Sequence, residues 1–87
     1  MGDNEMVHYD VIWVEGPDGN VAHLADHGVT PEEAEQVMAF PIARGVSRTT
    51  GRPIAIGNTL AGRKLVVVYE VIDAVTVYPV TVYDAED

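Results

Sequence analysis

His23 and His27 stand four residues apart, a spacing that on a helix places two imidazoles on one face. Histidine exchanges its proton near neutral pH, so such a pair suits acid–base work or joint metal binding. A metal needs further ligands, and the candidates are Asp26, Glu15 and the distant His8. Cysteine is absent, which excludes disulfides and thiolate metal sites. No metal and no cofactor are therefore expected. His27 also has a plainer reading, as a helix-end residue hydrogen-bonded to a neighbouring sheet.

Three arginines form the second constellation. Arg44, Arg48 and Arg52 flank a turn at Thr50-Gly51, and a hairpin there brings the arms together as an anion-binding strip. The competing reading is a solvated hairpin paired with the acidic helices of the same molecule. Tyr69, Tyr78 and Tyr83 can stack nucleobases, although strand tyrosines more often keep a hydroxyl at the rim of a core. Glu70 is the least expected charge, set in an otherwise apolar strand. It either faces solvent beyond the helices or is buried with Arg63 or a histidine.

Charge is distributed in blocks. Residues 1–43 carry nine acids and no Lys or Arg, residues 44–64 carry all five bases and no acid, and residues 65–87 carry five acids. The net charge of −9 disfavours nonspecific contact with nucleic acid. The 87 residues suffice for one domain, with little core to spare. A weak homodimer or a bound partner is the expected remedy, with a charge-repelled monomer as the competing outcome. The first ten residues, MGDNEMVHYD, are acidic and lack the apolar run of a signal peptide. Leu65 to Ile72 is too short to span a bilayer, so a cytoplasmic protein with no membrane contact is expected.

The elements that must position these residues are punctuated clearly. His8 to Glu15 reads as a first strand with Tyr9, Val11 and Trp13 on one face. Gly16-Pro17-Asp18-Gly19 turns the chain, and Asp18 or Asn20 can cap a first helix that Gly28 closes. Val21, Leu24 and Ala25 form its apolar stripe, with Asn20, His23 and His27 on a neighbouring face. Thr30, Pro31 and Glu33 spell a capping box for a second helix reaching about Ala39, with Val29 stapled to Ala34. Ala34, Val37 and Met38 are its buried stripe, and Phe40-Pro41 stops it.

From Ile42 the period becomes alternating. Arg44, Val46 and Arg48 share one strand face, and Ile54 and Ile56 share a face of the next strand. A turn at Leu60-Ala61-Gly62 leads into Leu65–Ile72, which is apolar on both faces and therefore central, with Ile54 and Val77 on strands to either side. Asp73-Ala74 turns into Val75–Tyr83, where Pro79 implies an edge or a bulge. Asp84 to Asp87 should fray. The fold class is α+β in one domain, with an ordered core of about 7–83. An N-terminal strand and two helices precede an antiparallel sheet of three to four strands, and both helices pack on one sheet face.

In that order, Trp13, His27-Gly28-Val29, Glu32-Glu33-Ala34, Ile54-Ala55-Ile56-Gly57, Gly62-Arg63 and Val66-Val67-Val68-Tyr69 resemble the pattern of the BrnT toxins. These are small ribonucleases of the RelE-like fold, each paired with an antitoxin. The resemblance covers residues 11 to 83 and implies a RelE-like fold and an antitoxin-like protein partner. His27, His23 and Arg63 are the catalytic residues it points to. Departures fall at the chemistry: Val14 stands where the family has Asp, His23 where it has Asn, and Asp26 where it has Lys. No Lys or Arg follows Lys64, so the last-strand Arg is missing. RNA cleavage needs a cation at the scissile phosphate as well as proton carriers. The expectation is a diverged member of the toxin family, acting as or derived from a ribonuclease that is weak or inactive. The alternative is a noncatalytic protein-binding module that keeps the fold.

Overall fold

A computed structural model describes residues 9–85. The elements are β1 (Asp10–Val11), α1 (Asn20–Ala25), α2 (Pro31–Ala39), β2 (Ala43–Val46), β3 (Pro53–Asn58), β4 (Lys64–Val71) and β5 (Thr76–Asp84). All five strands join one sheet in the order β1-β5-β4-β3-β2. β2 to β5 run antiparallel, whereas β1 lies parallel to β5. The described residues thus form an α+β fold with two helices and a mixed five-stranded sheet. This corrects the antiparallel sheet of three to four strands. Hairpin connections force β2 through β5 to alternate, but β1 reaches β5 through the rest of the domain, and no tight turn fixes its direction.

β1 is also much shorter than the expected His8–Glu15, of which His8 lies outside the described residues. The reason lies in β5. Asp10 N–H donates to Val75 C=O at 2.7 Å and Ile12 N–H to Val77 C=O at 3.0 Å. Continuing that parallel ladder requires an N–H from Pro79 to Ile12 C=O, and proline has none. The buried Asn20 side chain takes over. Its Nδ2 donates to Ile12 C=O and to Pro79 C=O, both at 2.9 Å, and its Oδ1 accepts from Val14 N–H at 2.7 Å. One side-chain amide thereby replaces the missing rungs. Asn20 is the first residue of α1 rather than its cap; Gly19 occupies the cap position with no side-chain bond.

Local signals act as read. Gly28, at φ 72°, closes α1, with Gly28 N–H bonded to Ala25 C=O and Val29 N–H to Leu24 C=O. Thr30 Oγ1 accepts from Glu33 N–H while Glu33 Oε1 accepts from Thr30 N–H, completing the capping box of α2. Leu24, Val29, Ala34, Val37 and Met38 then meet Ala55, Leu65, Val67, Tyr69, Val77 and Val82 in one core, flanked by Tyr9, Val11 and Trp13. α2 approaches β3 closely at Gly57, where a Cβ would sit 3.3 Å from Phe40 C=O and 3.4 Å from Val37 Cγ1.

β4 is central, between β3 and β5, as its two apolar faces demand. Leu65, Val67 and Tyr69 face the helices. Val66 and Val68 face away, yet each is only 5% exposed, because Ile54, Ile56, Thr81 and Tyr83 flank them in register. Pro79 sits opposite Tyr69 where the register shifts, so Val80 is a bulge residue and β5 is not an edge. Asp84, expected to fray, is the last residue of β5; Glu86 and Asp87 lie outside the described residues. No helix among the described residues is long and apolar enough to cross a membrane.

Candidate functional site

Arg63 precedes β4, and its guanidinium is already engaged. Nε and Nη2 donate to the two carboxylate oxygens of Asp84 at 2.7 and 3.1 Å, a bidentate pair. Nη1 donates to Gly28 C=O at 2.9 Å and Nη2 to His27 C=O at 2.8 Å. Four of the guanidinium N–H groups therefore tie the α1–α2 turn to the end of β5. The carbonyls at a helix end lack partners within the helix, and a cation is the fitting donor for them. Chemically this is a clamp that holds the His27-Gly28 backbone against the sheet.

The pair shifts both partners. The Asp84 hydrogen bond pushes Arg63 up from its ordinary value, with burial pulling the other way. The Arg63 hydrogen bond holds Asp84 below the usual aspartate range, with the charges of Arg63 and His27 adding to it. Because Asp84 is depressed when folded, its contribution is complete above the unfolded value, near pH 3.9. It is lost as pH falls through the folded value. Asp73 is likewise depressed, chiefly by the Val75 backbone N–H at the β4–β5 turn. Arg63→Gln is expected to lower the melting temperature at pH 6 and to weaken the acid-induced fall between pH 4 and pH 2.5. Asp73 contributes to the fall that remains. Thermal melts across that range check it, and an unchanged acid limb would show that the clamp contributes nothing.

His27 lies just past the end of α1, in the turn, so it does not share a helical face with His23. Both imidazoles are exposed. Among the described residues no three His, Cys, Asp or Glu side chains converge to hold a metal ion. Of the three predicted catalytic residues, the fold brings His27 and Arg63 together through the His27 carbonyl, and His23 lies on α1.

The three hairpin arginines diverge. Arg44 pairs across from Ala55 and so lies on the helix side, where its Nη1 donates to Tyr9 Oη at 3.3 Å. Arg52 turns to the opposite face and forms an ion pair with Glu70 at 2.9 Å. Glu70 is exposed, on the sheet face away from the helices. Arg48 sits in the turn, exposed. Tyr69 is buried beside Tyr9, with ring centroids 6.4 Å apart, and burial pushes its hydroxyl up from the ordinary tyrosine value. Tyr83 is exposed at the outer face of β5, and Tyr78 is half-buried.

Sequence reasoning missed Asn20 as a bridge and Asp84 as the partner of Arg63. For Asn20 a signal existed, since a proline inside a paired strand leaves its neighbour short of a donor. For Asp84 none did, because its 21-residue separation from Arg63 carries no periodic mark. Comparison with protein-family models, curated proteins and solved structures finds no match.

Proposed function

We propose that this chain is a noncatalytic protein-binding module, derived from a BrnT-like toxin of the RelE-like fold. The observation that carries the noncatalytic part is the Arg63 clamp, since the guanidinium bonded to the His27 carbonyl is spent on Asp84 and two carbonyls. A catalytic cation must meet the charge that develops on the phosphate, and losing one such contact costs about 3 kcal/mol, or roughly a hundredfold in rate. The binding part rests on exposed apolar side chains beside an open sheet edge at β2, where Phe40, Ile42 and Val46 are 57%, 59% and 65% exposed. Exposed apolar side chains gathered beside an unpaired strand edge support an interaction site there.

A ribonuclease of a toxin–antitoxin pair is the second reading, favoured by His27, Arg63 and Asp84 lying together at one end of the sheet. Induced expression without any neighbouring antitoxin separates the two. The module reading expects unaltered growth and intact cellular RNA at high expression. Growth arrest with RNA decay, abolished by His27→Ala, would establish the second reading instead. Any self-association is expected to be weak, given the net charge of −9, and to strengthen with salt in sedimentation at micromolar concentration.

A further inference from the structure

The geometry points to the free edge of β2 as the docking site of an extended acidic peptide segment, which adds to the sheet as a sixth strand. This inference rests on the binding-module reading and gives it a partner class. Three observations converge on that edge. The first is the backbone. Ser47 N–H donates to Arg52 C=O at 2.7 Å, which marks Ser47 and Arg52 as a hydrogen-bonded pair. In an antiparallel ladder such pairs alternate, so Gly45 with Ile54 and Ala43 with Ile56 bond inward. The N–H and C=O groups of Arg44 and Val46 then face outward. Pro53, which has no N–H to give, stands opposite Val46 where no rung is needed. The edge therefore offers two donors and two acceptors in a row, the pattern that strand addition uses.

The second observation is the side chains. Strands usually protect an open edge by being short, charged, bulged, covered or interrupted by proline; β2 is short and carries Arg44, but no other described element covers it. Here all four residues of β2 are exposed, and Phe40, Ile42 and Val46 add apolar contact along the same border. The third is charge. Residues 41–58 contain Arg44, Arg48 and Arg52 and no acid, in a chain whose net charge is −9. Arg52 is neutralised by Glu70, whereas no carboxylate among the described residues pairs with Arg44 or Arg48. A second copy fits poorly, because β2 against β2 sets Arg44 and Arg48 against themselves and brings two acidic bodies together. An incoming strand with an acid beside Arg44 and an apolar residue beside Val46 satisfies both. Those two sites lie on one face, so the preferred ligand carries acid and apolar residues two positions apart.

The test uses the full chain and the capped octapeptide ETVTETVT, followed by NMR titration and amide exchange. The expected result is saturable binding in which the Arg44 and Val46 amides exchange at least tenfold more slowly. The lysine counterpart KTVTKTVT and the proline-interrupted ETVPETVT should each bind at least tenfold more weakly. Val46→Pro removes an outward donor without breaking a rung, so it should fold and lose binding at least tenfold; Arg44→Glu should do the same by charge. Binding that leaves both amides unprotected and instead perturbs Val66, Val68 and Tyr83 overturns the β2 site while leaving a binding module. No binding of the octapeptide at millimolar concentration overturns the inference as well. A decauridine that binds at Arg44 and Arg48 while the peptide does not would overturn both the inference and the protein-binding reading.

Discussion

Asn20→Ala is expected to destabilise the fold by about 3 kcal/mol and to lower the melting temperature by roughly 15 °C. The loss comes from three groups left without partners: Val14 N–H, Ile12 C=O and Pro79 C=O. Each orphaned buried group typically costs about 1–3 kcal/mol, and two of these bonds are only part-buried, which sets the total near the low end. Asn20→Asp should be worse at neutral pH, because a carboxylate then faces two carbonyl oxygens instead of donating to them. The sign with pH follows. The introduced carboxyl is shifted upward in the folded state, so this variant recovers relative to the parent as pH falls and the group protonates. The exposed Asn58→Ala is the control and should shift stability by less than about 0.5 kcal/mol. Chemical denaturation of the three variants at pH 7 and pH 4 decides. A loss below about 1 kcal/mol for Asn20→Ala would mean that water or backbone movement satisfies those groups equally well.

Gly19→Ala is expected to be at least as damaging, by a different route. A Cβ at Gly19 would collide with the Val14 carbonyl oxygen and stand 2.7 Å from the Val14 carbonyl carbon. The obstacle is backbone, so no rotamer change relieves it. The same carbonyl accepts from Val21 N–H at 3.3 Å, and the chain must move there to make room. Overpacking costs about 1–3 kcal/mol when neighbours can yield, and here the neighbour is backbone that the Val21 N–H also holds. A loss above about 3 kcal/mol, or failure to fold, is expected in denaturant melts. Gly16→Ala, where a Cβ would meet nothing within 4 Å but φ is +103°, should cost less. Equal stability of Gly19→Ala and the parent protein would contradict the close junction.

What was legible in the sequence was local. The capping box at Thr30, the closure at Gly28 and the turns at Gly51, Gly62 and Asp73 each depend on residues within a few positions of one another. The central placement of β4 was legible because Leu65 through Tyr69 are apolar on both faces and must be covered twice. The parallel pairing of β1 was not legible, nor was its truncation. No turn fixes its direction, and its truncation depends on Pro79, 59 residues from the Asn20 that compensates for it. The bulge in β5 was legible from Pro79 itself, whereas the identity of the group that compensates for its missing N–H was not. The site divides in the same way. His27 at a helix end could be read from Gly28, but the commitment of Arg63 to Asp84 needs two distant strand ends to be side by side. Arg44 and Arg52 sit on hairpin arms as expected, yet the register turns them to opposite faces. A strip in one dimension became two separate charges in three.

On the proposed reading, the Arg63–Asp84 clamp takes the place of a catalytic cation at the His27 corner. Incubating the purified protein at micromolar concentration with a long, fluorescently labelled single-stranded RNA tests this most directly. The predicted result is no decay above buffer by the parent protein. Decay by the parent protein that disappears in His27→Ala and persists in the exposed control Glu32→Ala would contradict it.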